Sequence, residues 1–268
     1  MFEPTKTGFT RRRLSFDTAI LTDTGRVRRN NEDRVLAIEH TGTNIWGAES
    51  AGIYLIADGL GGHQAGEVAS EMASQIISHN LLEGLKSGHK VHSPVSMVKS
   101  VIEKANEEIV SLAGRDKALR FMGTTATVGL RLDDILYIGH VGDSRAYLIR
   151  GTQIKQITED HSVVAQLVKE GIITPAEAAE HAEKGVLFRC LGSSDIIVVE
   201  TITQRLRDGD SLVFCSDGLT AHIRDVEILN LVNSNRNSDE ACRSLIQVAN
   251  CRGGEDNSSI IVVNIKLK

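Results

Sequence analysis

The sequence has little of what marks disulfide-rich, zinc-binding or membrane proteins. It contains four cysteines, Cys190, Cys215, Cys242 and Cys251, and no CxxC pair. This usage argues against a disulfide framework and a zinc site, and we expect reduced thiols in a cytoplasmic protein. No run of about 18 apolar residues occurs, so we expect no membrane span. The net charge of −5 comes from interspersed charges of both signs, which argues against a nucleic-acid-binding protein.

The chain nevertheless has the composition of an ordinary globular protein. Of its 268 residues, 41% are hydrophobic and 24% are charged. Residues 1–14 are polar and basic, with Arg11-Arg12-Arg13 and no apolar segment after it, which predicts a flexible tail and no secretory signal. No linker-like stretch or repeat divides residues 15–268, so we expect one domain. We also expect a monomer.

Strand and helix signals are grouped along the chain instead of alternating. Four strand-like runs lie between Thr124 and Ile157, and links of two or three residues join them, which predicts an antiparallel meander. The remaining predicted elements include helices at Gly66–Leu85, Pro94–Ala113, Glu159–Glu170, Pro175–Ala182, Val226–Val232 and Asp239–Asn250, and a strand at Ile196–Gln204. The grouping favours an α+β class, with a central antiparallel β-sandwich of two sheets flanked by pairs of α-helices in four layers.

One stretch suggests a ligand site. The apolar run Ile53–Ala57 ends abruptly at Asp58, four glycines follow within eight residues, and a helix begins near Gly66. A carboxylate at the end of a buried strand is costly unless a positive group meets it, and glycines let the backbone approach a ligand closely. The pattern is typical of a metal or phosphate site, and equally of a strand that ends in an Asp-Gly turn.

Four further aspartates share this context at strand boundaries, namely Asp33, Asp143, Asp217 and Asp256. If the topology brings these boundaries to one edge of the sheets, the like charges repel one another and require cations. Oxygen ligands alone select hard cations such as Mg²⁺, Mn²⁺ or Ca²⁺. The sequence has no EF-hand spacing and no Walker loop, which weakens the cases for a calcium sensor and a nucleotide-binding enzyme.

Two hard cations that share carboxylates activate a bridging water and neutralise charge on a phosphoryl group. An arginine is then expected to grip the phosphate. Arg28, five residues before Asp33, is the candidate, and Arg26, Arg29 and Arg145 are the alternatives.

Taken in order, these motifs resemble those of the metal-dependent (PPM, type 2C) protein serine/threonine phosphatases of bacterial type. The motifs are Arg28 with Asn31-Glu32-Asp33, Ala57-Asp58-Gly59-Leu60-Gly61-Gly62-His63, Gly123-Thr124-Thr125, Val141-Gly142-Asp143-Ser144-Arg145, Ser216-Asp217-Gly218 and Asp256-Asn257. The resemblance covers nearly the whole chain beyond the tail. The family's fold, an antiparallel β-sandwich flanked by helix pairs, agrees with the fold predicted above.

The resemblance implies metal ligands among the candidate residues. Asp58 would bridge two Mn²⁺ or Mg²⁺ ions, with the Gly59 carbonyl on one of them. Asp217 and Asp256 would complete the other ion's ligands, and Asp33 would act through metal-bound water.

It also implies how substrate is held. Arg28 would bind the phosphate, Asp143 would offer, with Asp217, a third metal position, and a mobile flap would span about residues 158–191. Leu60 stands where animal-type members carry a histidine, and for His63, the nearest histidine, a catalytic and a loop-packing role both stay open. Residues 182–187 lack an Arg-Asn pair common in bacterial relatives, which leaves substrate preference open.

The implied activity is hydrolysis of phosphoserine and phosphothreonine by attack of a metal-bridging hydroxide on phosphorus. The expected partners are phosphorylated protein substrates, among them a serine/threonine kinase and its targets. Two alternatives share the fold. One is a catalytically silent regulatory pseudophosphatase, which would require replacement of Asp58, Asp217 or Asp256, and the other is a phosphatase of a partner-switching regulator. A structural β-sandwich adaptor would leave the clustered acids without a role.

Overall fold

A computed structural model describes residues 13–61, 64–87, 93–194 and 196–268. Within these residues the strands are β1 (Leu14–Asp23), β2 (Arg34–Thr41), β3 (Ser50–Ala57), β4 (Gly59–Leu60), β5 (Gly123–Thr124), β6 (Ala126–Leu132), β7 (Ile135–Val141), β8 (Arg145–Arg150), β9 (Gln153–Gln156), β10 (Glu200–Arg205), β11 (Asp210–Cys215) and β12 (Ser258–Leu267). The helices are α1 (Gln64–Ser87), α2 (Pro94–Arg115), α3 (Val163–Lys169), α4 (Pro175–Glu180), α5 (Asp217–Thr220), α6 (Asp225–Ser234) and α7 (Ser238–Cys251), and a 3₁₀ turn spans Lys117–Leu119.

The longer strands form two five-stranded antiparallel sheets. The first has the strand order β1-β12-β11-β8-β9 and the second has the order β10-β7-β6-β3-β2. β1 pairs with β12 along its whole length, from Leu14 opposite Leu267 to Asp23 opposite Ser258. β4 and β5 form a separate two-stranded ladder.

Three apolar layers hold the sheets and helices together. α1 and α2 pack on the second sheet, where Ile77 and Ile102 share a buried cluster with Leu55. α6 and α7 cover the first sheet through a cluster that includes Leu245 and Val262. A third cluster fills the space between the two sheets. The prediction of an α+β sandwich with helix pairs on its two outer faces is therefore confirmed.

The local sequence explains where the principal elements form. β3 is buried at all but its first position, since its sheet is covered on both faces, and this accounts for its continuous apolar run. α2 begins at Pro94 behind a capping box in which the Ser93 side chain accepts a hydrogen bond from the Ser96 N–H. No helix within the described ranges is both long and apolar enough to cross a membrane.

The predicted meander is wrong at one link. β6 pairs with β7 and β8 pairs with β9, but β7 and β8 lie in different sheets. The three residues 142–144 therefore carry the chain from one sheet to the other. Gly142 has a φ of +110°, and a Cβ at this position would lie 2.5 Å from the Thr125 side chain, so both backbone conformation and space require glycine. The crossing places Asp143 at the junction of the sheets.

Two other predicted elements begin later than expected. α3 begins at Val163 and not at Glu159, because Ser162 caps the helix by accepting a hydrogen bond from the Ala165 N–H. β10 begins at Glu200 instead of at residue 196. The predicted tail falls mostly on residues 1–12, outside the described residues.

Candidate active site

The five aspartates picked out by their sequence context are brought together at one end of the sandwich. Asp58 follows β3, Asp217 follows β11, Asp33 and Asp256 precede β2 and β12, and Asp143 lies in the crossing between the sheets. The carboxyl group of Asp58 lies within hydrogen-bonding reach of Asp217 and also feels the charges of Asp33 and Asp143. Asp256 in turn acts electrostatically on Asp33 and Asp217.

Hydrogen bonds to two threonines fix the backbone at Asp58. Its N–H donates to the Thr125 hydroxyl at 2.9 Å, and its carbonyl accepts from the Thr124 hydroxyl and the Thr125 N–H, both at 2.9 Å. The Thr125 hydroxyl is also 2.7 Å from the Ser144 hydroxyl, one residue after Asp143. The end of β3 is thereby tied to the crossing between the sheets.

Asp33 is the most deeply buried of the five carboxylates. The residue is 3% exposed, and its Oδ2 accepts a hydrogen bond of 2.8 Å from the Ser216 hydroxyl. The Ser216 oxygen itself accepts from the Ser259 N–H at 2.9 Å. The other carboxylate oxygen of Asp33, Oδ1, is buried and has no hydrogen-bond partner among the described residues. A buried acceptor of this kind is costly unless a cation or a solvent molecule meets it.

The close approach of two loops requires a glycine beside Asp217. A Cβ on Gly218 would lie 2.0 Å from the carbonyl oxygen of Asn257. Asn257 is itself a fixed point, since its side-chain amide donates to the carbonyls of Thr24 and Asn30, both at 2.9 Å. The Asp-Gly pair that follows β11 therefore opens the short helix α5 instead of a turn, and it packs directly against the loop that carries Asp256.

The electrostatics of the cluster favour the binding of cations. Burial, followed by the charges of neighbouring carboxylates, raises the pKa of Asp58 well above its ordinary value. Burial is also the main reason why the pKa is raised to about 8 for Asp143 and to about 6 for Asp33. It likewise raises the pKa of Asp217 above its ordinary value. These acids cannot all be ionised together at neutral pH without compensating positive charge. Carboxylate oxygens, among them the unpartnered Oδ1 of Asp33, are ligands that suit Mg²⁺ or Mn²⁺.

Arg145 acts electrostatically on Asp143 and Asp217, but of the arginines considered for phosphate binding, Arg28 is the one that forms an ion pair with a cluster aspartate among the described residues. Its Nη2 lies 2.6 Å from Oδ2 of Asp256, and its side chain is 55% exposed, so the guanidinium is open to a ligand. Arg145 is instead committed to a bidentate ion pair with Asp160, from Nε to Oδ1 and from Nη2 to Oδ2, and donates to the Tyr147 hydroxyl. It is therefore not free to bind phosphate.

The predicted flap contains α3 and α4 and is anchored at its base by two isolated β-bridges, Ser162 with Leu187 and Thr124 with Leu191. Gly59 and Leu60 form β4 beside Asp58. His63 lies outside the described residues, so both of its possible roles stay open.

A second group of metal-ligand side chains lies at the base of the flap, where atoms of His140, His161 and Glu200 fall within 4.8 Å of one another. Their surroundings do not suit a cation. Nδ1 of His161 accepts a hydrogen bond from the Gly142 N–H, and its Nε2 lies 3.0 Å from the Arg189 guanidinium. A bound cation at Nε2 would be repelled by this fixed positive charge, and we interpret the group as a polar network that braces the flap.

Several residues that build the site received no role from sequence reasoning. Ser216, Asn257 and Ser144 each adjoin a predicted ligand in the motifs, and Thr125 lies in a motif that contains no predicted ligand. Their partners are distant in sequence, as in the bond from Ser216 to Asp33, and a hydroxyl or amide beside an aspartate has no distinctive pattern of its own.

Comparisons with known proteins identify the family. The family model described as protein phosphatase 2C matches residues 21–167. The chain is 35% identical over 244 residues to the serine/threonine phosphatase stp of Listeria monocytogenes, covering 90% of this chain and 93% of that protein. It is also 35% identical over 256 residues to the protein phosphatase PhpP of Streptococcus pneumoniae, covering 93% and 97% of the two chains.

Solved structures give the same result for the fold. The serine/threonine phosphatase PstP/Ppp of Mycobacterium tuberculosis superposes with a TM-score of 0.80 at 31% identity, over 94% of this chain and 99% of that one. A structure of the PstP catalytic domain in complex with two manganese ions superposes with a TM-score of 0.79 at 31% identity and the same coverage.

Proposed function

The chain belongs to the protein phosphatase 2C family of metal-dependent serine/threonine protein phosphatases, and from that premise we propose that the aspartate cluster is its catalytic centre. The residues we assign to the metal ions are Asp33, Asp58, Gly59, Asp143, Asp217 and Asp256. We propose two Mn²⁺ or Mg²⁺ ions and a weaker third position at Asp143 and Asp217. A solved relative with two manganese ions supports the count of two.

The orphaned oxygen of Asp33 is the observation that carries this proposal. A buried carboxylate with one hydrogen-bonded and one unpartnered oxygen lowers the free energy of unfolding unless something positive or protic meets the second oxygen. Three more buried or half-buried acids with raised pKa values lie around it, namely Asp58, Asp143 and Asp217. Divalent cations are the species that satisfy all of them together.

Bound divalent cations supply a nucleophile from water and neutralise charge on the transferring phosphoryl group. The chain's own residues bind the substrate phosphate and orient a solvent molecule. Arg28 grips two phosphate oxygens with its planar guanidinium and leaves its ion pair with Asp256 to do so. Asp33 offers Oδ1 as a hydrogen-bond acceptor that orients a solvent molecule, while Ser216 holds its other oxygen.

Four finer assignments belong to the same proposal. We propose that the substrates include a serine/threonine kinase and its targets, and that the enzyme acts in the cytoplasm, which the four free thiols support. We also propose that residues 15–268 act as one monomeric domain, behind a tail at 1–14 and with a flap at about 158–191. The pairing of β1 with β12 supports this, because it joins the two ends of that range.

The experiment is hydrolysis of a phosphothreonine peptide and of p-nitrophenyl phosphate in Mn²⁺. Chelation should abolish turnover, and Asp58→Asn should lower kcat by about a thousandfold, since bound cations supply several kcal/mol of transition-state stabilisation. Asp239→Asn is the matched control, because Asp239 lies on α7 and pairs with Arg243 outside the cluster. Wild-type rates in a folded Asp58→Asn variant would refute the assignment.

Asp143→Ala separates the weaker position from the main pair. We expect reduced turnover and a higher Mn²⁺ concentration for half-maximal activity, because one of two carboxylates at that position is lost. An unchanged Mn²⁺ titration would remove Asp143 from the site.

A further inference from the structure

A short exposed segment forms one wall beside the aspartate cluster. In the ladder of β4 and β5, Leu60 lies opposite Gly123. The carbonyl oxygen of Phe121 lies 2.5 Å from the position that a Cβ on Gly61 would take, so the two backbones touch. Gly61 is three residues from Asp58, which limits their Cα separation to about 11 Å. The segment around Phe121 is therefore a near neighbour of the cluster.

This segment holds an aromatic ring outward on a fixed backbone. Leu119 packs against the first core cluster and Met122 is 2% exposed, and the Met122 N–H donates to the Leu119 carbonyl at 2.9 Å. The Asp116 side chain caps the preceding turn by accepting from the Ala118 N–H. Between these anchors the side chain of Phe121 is 80% exposed. A preorganised, exposed aromatic side chain is typical of a binding surface.

Three basic residues lie within six positions of Phe121 in the chain. Arg115 is the last residue of α2, Lys117 is the first residue of the 3₁₀ turn, and Arg120 follows that turn. All three are exposed. The Arg120 guanidinium lies 5.6 Å from the centre of the Phe121 ring. Within the described part of the chain, no carboxylate forms an ion pair with any of the three. We call Arg115, Lys117, Arg120 and Phe121 the basic rim.

We propose that the basic rim binds acidic residues that flank the phosphorylated residue of a protein substrate, an inference that rests on the proposed function. The chain as a whole carries a net charge of −5, whereas the basic rim has three basic side chains and one carboxylate, Asp116, between them, so it provides local positive charge for an acidic peptide. An extended peptide advances about 3.3–3.6 Å per residue, so the rim meets side chains roughly three to five positions from the phosphate. The Phe121 ring supplies the apolar contact between the charges.

The test compares two phosphothreonine peptides of equal length. One carries glutamates three to five positions to each side of the phosphothreonine, and the other carries serines there. We expect wild-type kcat/KM to be higher for the acidic peptide at low ionic strength, and we expect Arg120→Glu to lower it by about tenfold, an effect that salt screens. Phe121→Ala should lower kcat/KM for the acidic peptide as well. Hydrolysis of p-nitrophenyl phosphate, which is too small to reach the rim, should be unchanged by both substitutions.

Arg236→Glu is the matched control. It makes the same charge change in the turn before α7, next to Ser238, which bonds Asp17 in β1. Asp17 lies six residues from the end of β1 at Asp23, about 20 Å from the catalytic end of the strand. Equal losses in Arg120→Glu and Arg236→Glu, or no preference of the wild-type enzyme for the acidic peptide, would overturn the proposal.

Binding measured without catalysis separates this inference from the proposed function. Fluorescence anisotropy of the labelled, non-phosphorylated acidic peptide in chelator measures peptide binding to the basic rim without catalysis. If the wild-type enzyme hydrolyses no substrate but binds this peptide more tightly than Arg120→Glu does, the rim stands and the catalytic proposal fails. If turnover is normal and the two proteins bind the peptide equally, the rim is refuted.

Discussion

Asp33→Asn should make the metal-free protein more stable at neutral pH, although it removes a residue of the proposed catalytic centre. Burial raises the pKa of Asp33 to about 6 from an ordinary value of 3.8, so its ionisation opposes folding. This cost is absent below pH 3.8, grows between pH 3.8 and about 6, and is complete above that. Asparagine keeps the acceptor for the Ser216 hydroxyl and carries no charge at any pH.

The size of the effect follows from the two pKa values. Their difference corresponds to about 3 kcal/mol of unfolding free energy, at 1.36 kcal/mol for each tenfold change in proton affinity. For a domain of this size, 1 kcal/mol shifts the melting temperature by about 2–4 °C. In chelator at pH 7.5, the variant should therefore melt about 6–12 °C above the wild-type protein. The two melting temperatures should converge near pH 4.

The assay is thermal unfolding followed by circular dichroism between pH 4 and 8, in chelator and then with Mn²⁺. Mn²⁺ should stabilise the wild-type protein more than the variant, since the wild-type carboxylate oxygen then meets a positive charge. A difference in melting temperature between the two proteins that stays the same at every pH in chelator would refute the reasoning. So would a variant that is less stable than the wild-type protein at pH 7.5 without metal.

Two further predictions concern residues fixed by close packing. Gly218→Ala should weaken Mn²⁺ binding measured by calorimetry and destabilise the fold by about 1–3 kcal/mol, because its Cβ would lie 2.0 Å from the Asn257 carbonyl. Gly114→Ala, where a Cβ meets nothing within 4 Å, is the control, and equal effects of the two would contradict the prediction. Arg131→Met should destabilise the fold by about 3 kcal/mol in urea unfolding, because Arg131 is 1% exposed and its loss leaves the Glu39 carboxylate without its partner at 2.6 Å. Adding Glu39→Gln should recover part of that loss, and no recovery would contradict the assigned pair.

The candidate ligands were predictable because each lies at an abrupt change of pattern. Asp58 and Asp217 both follow apolar runs and precede a glycine. A carboxylate at the end of a buried strand is unfavourable unless a positive group lies beside it. The helix pairs could be predicted from apolar spacing, and Pro94 marked one helix start correctly. These signals are local, since propensity, capping and burial pattern act over a few residues.

The hydroxyl groups that hold the carboxylates were not predictable in the same way. Ser216 bonds Asp33 across 183 positions, and Thr125 meets Ser144 only because the chain crosses between the sheets at Gly142. The predicted meander missed that crossing, because a three-residue link normally joins neighbouring strands of one sheet. A positive φ at Gly142 and a space there too small for a methyl group decide the path of the chain between the sheets. Neither can be detected in the hydrophobic periodicity of the sequence.

The amino-acid order alone indicates which side chains are available, the order of strands and helices, and the two-layer burial that makes a sandwich. The folded chain is needed to show that five aspartates from five separate segments face one another, that Arg28 reaches Asp256 while Arg145 is held by Asp160, and that Phe121 points to solvent beside the site. The physical reason is that apolar pattern sets which face of an element is buried. Strand order and loop geometry, which depend on contacts between residues far apart in the chain, set which ends of those elements meet.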